Sequence, residues 1–404
     1  MITTILIAWL LMVSIQLIYI LFVYSRTAFY RQTVLTNPDE TNLDASTAPT
    51  EWPVVDSPGI TVVVCARNEL DNLTELLPLL NAQVYPDFEI LVMDDRSTDG
   101  TTTYLENDIT DLNRVRFIRI DKEHEHVTPK KYALTIALKK ATFSTVLLTD
   151  ADCRPATANW LVNMVAPLNN TKKAIVLGFS PYEKQPGWLN LLIQSETLFT
   201  AVQYFSLALA GRPYMGVGRN LAYRTDLFFA NKGFYTHKNV VGGDDDLFLN
   251  EVATGRNTAI CLHPDAFAWS KPKETWSDWR LQKRRHLNVG KYYKPGHKFR
   301  LGLLIGSHVL TWAFALITIL IVLHHEHYHV LFTAQEWLLL RIATGAFAFR
   351  LLTFWGIVGR ISYRLAHTVH WAIIPCMDLT LSVYYGIAGL KNFFTRRRKR
   401  IYWR

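Results

Sequence analysis

The sequence of residues 144–152 is STVLLTDAD, an apolar run that ends abruptly in Asp150 and Asp152. Three earlier segments have a similar form: GITVVVCARNE at 59–69, FEILVMDD at 88–95 and RVRFIRI at 114–120. β-Branched and aliphatic runs of this length predict buried strands. Segments with apolar residues at helical spacing lie between them, as in DNLTELLPLLNAQ at 71–83 and KKYALTIALKKA at 130–141. Strands that alternate with helices predict an α/β fold with a mostly parallel sheet.

Polar and acidic residues follow three of these predicted strands, as Arg67-Asn68-Glu69, Asp94-Asp95 and Asp150-Ala151-Asp152. Ligands of open α/β sheets bind beyond the carboxyl ends of the strands, so these side chains are expected at one site. Two carboxylates spaced i and i+2 suit Mg²⁺ or Mn²⁺, which also bind substrate phosphates. An Asp-x-Asp pair alone is equally typical of a helix N-cap and an exposed turn. The other two strand ends, Arg67-Asn68-Glu69 and Asp94-Asp95, also carry polar or acidic residues, and this makes a ligand site the better interpretation of the Asp-x-Asp pair.

Membrane-like composition flanks the α/β segment on both sides. Residues 2–24 contain no charged side chain and would form roughly 35 Å of helix, enough to cross a bilayer. No basic residue precedes this run and arginines follow it, which favours an uncleaved anchor over a signal peptide. Residues 301–323 predict a second span. Two further apolar stretches, 330–359 and 366–390, are interrupted by charged residues, so two or three C-terminal spans are predicted.

The basic run RRRKR at 396–400 bears on the topology. If the α/β domain is cytosolic and all three C-terminal stretches cross once, this run lies outside the cell, against the positive-inside tendency. One stretch is therefore expected to be re-entrant or interfacial, either 330–359 with its charges or 366–390 with Pro375 and Asp378.

Charge and cysteine content exclude other classes of protein. The net charge is +9, but no basic face with interleaved aromatic residues accompanies the tail, so nucleic-acid binding is not expected. The four cysteines have neither metal-ligand spacing nor the density of a disulfide scaffold, which fits reduced thiols in the cytosol.

Seven motifs in order resemble family 2 glycosyltransferases with the GT-A fold: TVVVCARNE, ILVMDDRSTDGT, TPKKYALTIAL, LLTDADC, GVGRNLAYR at 216–224, VGGDDDLFL at 241–249 and QKRRH at 282–286. The resemblance spans about 59–290, and the flanking apolar stretches resemble the membrane-integrated members, such as bacterial cellulose synthase-like and ceramide glucosyltransferase-like enzymes. It implies a GT-A, Rossmann-like sheet domain and an inverting, metal-dependent transfer.

The resemblance implies a donor site at the strand ends. Asp95 would receive the nucleobase, with Arg67 and Glu69 in the same pocket. Lys130 and Asp150 would lie near the ribose or diphosphate, although Pro129 stands where the family has glycine. The metal, Mg²⁺ or Mn²⁺, would be held by Asp150 and Asp152, with Asp152 the more direct ligand.

The later motifs imply the base and the acceptor site. The 243–247 stretch resembles the family's Glu-Asp base motif, with Gly243 in place of Glu, so either Asp244 or Asp245 would accept the acceptor's proton. Gln282 and Arg285 match the Gln-x-x-Arg-Trp motif, in which His286 replaces Trp. These residues would contact acceptor and diphosphate from an interfacial helix, and Gly218 and Asn220 would shape the acceptor pocket.

The sequence thus predicts the following organisation: a transmembrane helix at 1–25, a linker at 26–58, the catalytic domain at 59–270, an interfacial region at 271–300, C-terminal helices at 301–395 and a basic tail at 396–404. The expected function is hexosyl or N-acetylhexosaminyl transfer from a nucleotide-diphosphate sugar, foremost a UDP-sugar, to a lipid-linked or membrane-associated acceptor. The expected location is the cell membrane, the inner one in a bacterium, with the catalytic domain cytosolic. A processive polysaccharide synthase and a non-catalytic nucleotide-binding membrane scaffold remain as alternatives.

Overall fold

The computed structural model describes residues 2–32, 58–329, 331–366 and 369–394. Most of the predicted linker and the whole basic tail at 396–404 lie outside this part. The strands are β1 (Ile60–Ala66), β2 (Phe88–Asp95), β3 (Val115–Ile120), β4 (Thr145–Asp150), β5 (Cys153–Pro155), β6 (Ile175–Leu177), β7 (Leu221–Arg224), β8 (Thr258–Ile260) and β9 (Ala268–Ser270). The α-helices are α1 (Ile2–Ile18), α2 (Ser25–Ala28), α3 (Leu70–Asn81), α4 (Thr101–Asn107), α5 (Pro129–Lys140), α6 (Trp160–Val165), α7 (Trp188–Leu209), α8 (Thr225–Ala230), α9 (Asp246–Val252), α10 (Trp276–Val289), α11 (Pro295–His327), α12 (Ala334–Arg364) and α13 (Ile374–Phe394).

Seven strands form one sheet in the order β3-β2-β1-β4-β7-β6-β8. β1 pairs in parallel with β2 and β4, β2 with β3, and β6 with β8. In this sheet the antiparallel pairings are those of β7, with β4 and with β6. The predicted mostly parallel α/β sheet is therefore confirmed.

The sheet changes its direction of growth at β1. β2 and β3 extend it on one side, whereas β4 returns to the other side of β1. In this register Cys65 lies beside Asp150, and Ala66 beside Asp94. The polar ends of three strands therefore meet at one edge, at the switch point where α/β sheets bind ligands.

Helices cover both faces of the sheet, because the central strands are apolar on both sides. Val63 and Leu148 belong to one core cluster, which also contains α5 and α7 residues, whereas Val62 and Leu147 belong to a second cluster with α3 and α6. These side chains are 5% exposed or less. A sheet buried on both faces explains why its strands are uninterrupted aliphatic runs.

Four helices of the described chain are long and apolar enough to cross a membrane: Ile2–Ala28, Pro295–His327, Ala334–Arg364 and Trp371–Leu390. The first joins α1 and α2 through a π-helical turn at Tyr19–Tyr24. There are thus three such C-terminal helices, the larger of the two predicted numbers. The re-entrant or interfacial character of one of them stays a prediction.

A buried polar cluster joins all four of these helices. Asp378 of α13 is paired with Arg350 of α12, and both side chains are fully buried. The Asp378 carboxylate also lies 3.0 Å from His308 Nε2 and accepts a 3.0 Å hydrogen bond from Trp312 Nε1, both on α11. Gln16 of α1 completes the cluster, because its Oε1 accepts a 3.1 Å hydrogen bond from Arg350. Arg350 and Asp378, the charged residues that interrupt two of the apolar stretches, therefore face protein.

Candidate active site

A cavity of about 920 Å³ opens at the carboxyl edge of the sheet and extends to the first turns of α11. It brings together eleven of the residues predicted from the sequence: Arg67, Glu69, Lys130, Asp150, Asp152, Gly218, Asp244, Asp245, Gln282, Arg285 and His286. They come from strand ends, loops and α10, over more than 200 positions of the chain. The sheet topology and the packing of α10 therefore assemble one site.

Two predicted residues do not line this cavity. Asp95 is 2% exposed and accepts hydrogen bonds from its neighbour Arg96, at 2.8 Å from Nε. Asn220 is fully buried, and its amide donates to the Phe179 and Ala266 carbonyls while accepting from Trp160 Nε1. The structure therefore places Asn220 in the protein core, where all its polar atoms are satisfied by protein.

Lys130 bridges the two acidic parts of the cavity. Its Nζ lies 2.8 Å from Asp150 Oδ1 and 3.4 Å from Asp244 Oδ2. Burial lowers the pKa of Lys130, but the charges of Asp150 and Asp244 outweigh it and hold that pKa well above its usual value. Burial likewise raises the pKa of Asp150, yet the charge and hydrogen bond of Lys130 bring it below the ordinary value. Pro129 occupies the first position of α5, where its fixed φ suits the helix start.

Asp150 and Asp152 offer two carboxylates to a metal ion at the end of β4. Within the described ranges, no group of three or more His, Cys, Asp or Glu side chains is placed to hold a metal. Two hard oxygen ligands nevertheless fit Mg²⁺ or Mn²⁺, since these ions keep waters and complete their shell with substrate phosphates. The donor set thus fits a metal that binds together with a diphosphate.

Three consecutive carboxylates, Asp244 to Asp246, lie where the loop before α9 meets the first residue of that helix, and this loop has an unusual backbone. Gly242 and Gly243 have φ values of +81° and +74°, which disfavour any residue with a Cβ. A Cβ at Gly243 would also lie 2.7 Å from Leu247. The replacement of the family's Glu by Gly243 therefore follows from the path of this loop.

Lys131 fixes the same loop through buried hydrogen bonds. Its side chain is 1% exposed, and its ammonium donates to the carbonyls of His237, Val240 and Gly242 at 2.7, 2.7 and 2.9 Å. A buried ammonium that serves three carbonyls holds their relative positions. Lys131 thus positions the loop without lining the cavity.

The three carboxylates have different surroundings. Asp245 caps α9: its two oxygens accept the backbone N–H groups of Gly218 at 2.6 Å and Asp246 at 2.7 Å. Burial, followed by the charge of Asp244, raises the pKa of Asp245. Asp246 accepts from Tyr293 at 3.2 Å, and burial followed by the Asp245 charge raises its pKa well above the usual value. Asp244 forms an ion pair with Lys130 at 3.4 Å, and within the described ranges its carboxylate accepts no hydrogen bond from a protein group, so its oxygens are open to a ligand.

α10 forms the wall between the strand ends and α11. Gln282, Arg285 and His286 share one helix face and all line the cavity. Gln282 Nε2 donates to the Tyr182 hydroxyl at 3.2 Å. Lys283 forms an ion pair with Glu196 of α7, which ties α10 to the catalytic domain.

Arg219 is a cavity residue that sequence reasoning missed. Its guanidinium lies 4.3 Å above the Tyr182 ring, and Nη1 is buried without a hydrogen-bond partner in the described chain. Its charge helps to lower the pKa of Asp150, after the larger effect of Lys130, so it lies within electrostatic range of the strand ends. The available signal was its position in GVGRN, between the two residues that were singled out.

Comparisons with known proteins identify one family model and several solved structures that are similar to this chain. The model of the family described as Glycosyl transferase family 2 matches residues 61–229, from β1 to α8. The mannosyltransferase PcManGT from Pyrobaculum calidifontis, solved with GDP-Man and Mn²⁺, is 19% identical with a TM-score of 0.55, over 98% of this chain and 100% of that one. TarS 1-349 from S. aureus, solved with UDP-GlcNAc, is 16% identical with a TM-score of 0.41, over 82% of this chain and 92% of that one. No curated protein matches the chain.

The family match covers β1 to β4 and the Asp-x-Asp pair, and the likeness to PcManGT shows the fold. The predicted GT-A fold is thereby confirmed. The chain thus has a GT-A fold in which residues 61–229 match the model of the family described as Glycosyl transferase family 2, and this part is joined to four helices that are long and apolar enough to cross a membrane.

Proposed function

We propose that the protein is an inverting glycosyltransferase that moves a sugar from a nucleotide-diphosphate sugar to a hydroxyl of a membrane lipid or lipid-linked acceptor. One observation carries this proposal. A single cavity joins the acidic and cationic residues at the strand ends, which suit a nucleotide-diphosphate sugar, to the first turns of an apolar helix of membrane-spanning length. A cytosolic orientation follows from the proposal, because the donor must reach the cavity from the compartment that contains nucleotide sugars.

The donor would lie along the strand ends. Arg67 and Glu69 are proposed to contact the nucleoside, whereas Asp95 could contribute only if its pair with Arg96 opens. Lys130, Arg219 and Arg285 are proposed to bind the diphosphate, since all three line the cavity with cationic groups. A guanidinium offers phosphate a planar, multidentate donor.

Asp150 and Asp152 would hold Mg²⁺ or Mn²⁺, which would supply charge neutralisation for the departing diphosphate. Lys130 now donates to Asp150 and would be free to turn to the diphosphate once a cation shares that carboxylate. The protein's cations would then act on the same developing charge.

Asp244 is proposed as the general base. The acceptor hydroxyl would give its proton to the Asp244 carboxylate while its oxygen forms a bond to the anomeric carbon. The bond between that carbon and the diphosphate oxygen breaks, so the nucleoside diphosphate leaves with the bonding electrons and the anomeric configuration inverts. Asp245 is proposed as a positioning residue, since both its oxygens are held by backbone N–H groups.

Purified full-length protein in lipid nanodiscs would be tested with a panel of UDP- and GDP-sugars, with and without Mn²⁺. We expect nucleotide release that depends on the metal for at least one donor. Asp244→Asn should retain donor binding and reduce turnover at least about a hundredfold, the lower range for a general base. Asp152→Ala should weaken metal-dependent donor binding, and Asp111→Asn, an exposed carboxylate outside the cavity, is the matched control.

The alternative functions make distinct predictions. A non-catalytic scaffold would bind nucleotide without turnover in any of these mixtures. A processive polysaccharide synthase would give a ladder of products on a gel, whereas transfer of one sugar gives a single species. Full activity in both Asp244→Asn and Asp245→Asn would refute the proposed mechanism.

A further inference from the structure

The end of the cavity nearest the membrane helices has a polar wall that the donor chemistry does not use. Thr197, Thr200 and Gln203 of α7 line this part of the cavity. Their three-residue spacing places them on one face of the helix. All three are uncharged and can donate as well as accept hydrogen bonds.

The side chain of Gln203 is without a protein partner. The residue is 5% exposed, and within the described ranges no hydrogen bond to its side-chain amide is found. Gln203 lines the cavity, and its amide atoms are not among the fully buried atoms that lack a partner, so they face the cavity space. This amide therefore offers a hydrogen-bond donor and an acceptor to a polar group of a ligand.

A second wall is formed by the first turns of α11 and is apolar. Leu301, Gly302, Ile305 and Gly306 line the cavity there, together with Tyr385 of α13. A Cβ built at Gly302 or Gly306 would meet no atom within 4 Å. The two glycines, four residues apart, therefore leave open space along one face of a helix of membrane-spanning length.

Charges at this end are largely compensated. Glu196 and Lys283 both line the cavity and neutralise each other in a mostly buried pair. Lys298 also lines it, but it is exposed, so its ammonium remains hydrated. A ligand group between α7 and α11 would thus meet hydrogen-bonding groups, apolar surface and the compensated pair of Glu196 and Lys283.

We propose that this part of the cavity, bounded by Thr197, Thr200, Gln203, Gly302 and Gly306, is the binding slot for a neutral, hydroxyl-bearing lipid acceptor. The uncharged α7 face would bind the polar headgroup, and the open face of α11 would accommodate the start of the hydrocarbon chains. The inference rests on the proposed function, and it adds the acceptor's chemical class. An uncharged hydroxyl must lose its proton as it attacks the sugar, which also explains why the site has a carboxylate available as base.

Filling the slot tests its position. Gly306→Leu should reduce transfer to lipid about tenfold or more by overpacking the slot, whereas Gly345→Leu should leave transfer within twofold of wild type. Gly345→Leu is the matched control, because Gly345 is exposed on α12, has equally open space where a Cβ would lie and does not line the cavity. Equal transfer by both variants would overturn the slot, and loss of donor hydrolysis in Gly306→Leu alone would assign this end to the donor instead.

The acceptor class is tested with a lipid extract of the expression host, separated by anion-exchange chromatography into neutral and anionic fractions. With a radiolabelled donor, we expect the label in the neutral fraction, and Gln203→Leu should raise the KM for that fraction about fivefold, as expected for one hydrogen bond. Label in the anionic fraction alone would overturn the neutral class, and label in neither would remove lipid as the acceptor. Wild-type protein with no nucleotide-sugar turnover would instead refute the proposed function itself.

Discussion

The cluster around Asp378 gives the sharpest test of how the four apolar helices are held together. Asp378 and Arg350 are fully buried, and the carboxylate also lies within 3.0 Å of His308 Nε2 and Trp312 Nε1. Asp378→Leu removes the only carboxylate that the described structure places beside this guanidinium. Arg350 would then keep one acceptor, Gln16 Oε1 at 3.1 Å.

Two effects contribute to the expected loss of stability. Hydrogen bonds between helices in membrane proteins average about 0.6 kcal/mol, so the bonds from Arg350, His308 and Trp312 amount to roughly 2 kcal/mol. Removing one partner of a buried ion pair costs about 3–5 kcal/mol, because the remaining charge is uncompensated. The unpaired guanidinium is thus the larger effect, and we expect Asp378→Leu to lower the free energy of unfolding by about 3 kcal/mol or more.

The double variant Asp378→Leu with Arg350→Met separates these effects. It removes both charges, and His308 retains its other acceptor, the backbone carbonyl of residue 378, at 3.0 Å. We expect it to lose no more than about 2 kcal/mol relative to wild type, the contribution of the hydrogen bonds alone, since apolar replacement of a whole buried pair is often neutral. SDS titration in lipid–detergent bicelles would measure all three proteins. A double variant as unstable as Asp378→Leu would refute the argument from the uncompensated charge.

Three further predictions concern the catalytic domain. Lys131→Met removes three hydrogen bonds to the 237–243 loop, and we expect kcat to fall more than the affinity for the donor. A loss of stability without a change in kcat would contradict the positioning role of Lys131. The pKa of Asp246 is higher in the folded protein than in the unfolded chain, so Asp246 of the unfolded chain ionises first as pH rises. Wild-type stability therefore falls as pH rises from the pKa of the unfolded chain to that of the folded protein. Asp246→Asn should therefore gain stability relative to wild type toward neutral pH, and a pH-independent difference in thermal unfolding would contradict this. Arg219→Leu should raise the KM for the donor at least about tenfold, as expected when one hydrogen bond to a charged group is lost. Inhibition by the nucleoside diphosphate product that is the same in the variant and in wild type would exclude Arg219 from the diphosphate site.

The strands and the sheet edge at which the cavity lies could be predicted because their signals are local. The runs that end at Glu69, Asp95 and Asp152 are both buried strands and polar strand ends, and a parallel sheet necessarily brings such ends to one edge. Apolar length likewise indicated the membrane-type helices. In each case the residues that make up the sequence pattern also form the strand or helix that the pattern predicts.

The features that the sequence did not predict depend on contacts between residues that are far apart in the chain. Asn220 lies in a suggestive motif, but Trp160 and two carbonyls that enclose it could not be inferred from its neighbours. Arg219 and Lys131 are each adjacent to a predicted residue, and only the direction of each side chain separates their roles. The sequence likewise left open which of Asp244 and Asp245 faces a ligand, whereas the α9 cap gives Asp245 a structural partner for each oxygen.

The arrangement around Asp244 explains how one cavity could serve two chemically different substrates. On the strand side, Lys130 links it to the acidic and cationic residues suited to a diphosphate. On the other side, the cavity continues to uncharged residues of α7 and the open face of α11. The carboxylate belongs to a loop whose position is set by the Lys131 ammonium and by the Asp245 cap of α9, and the hydrogen bonds of both groups are made within the protein. A base held at this boundary by residues other than those that bind the substrates would keep its position whichever substrate enters first.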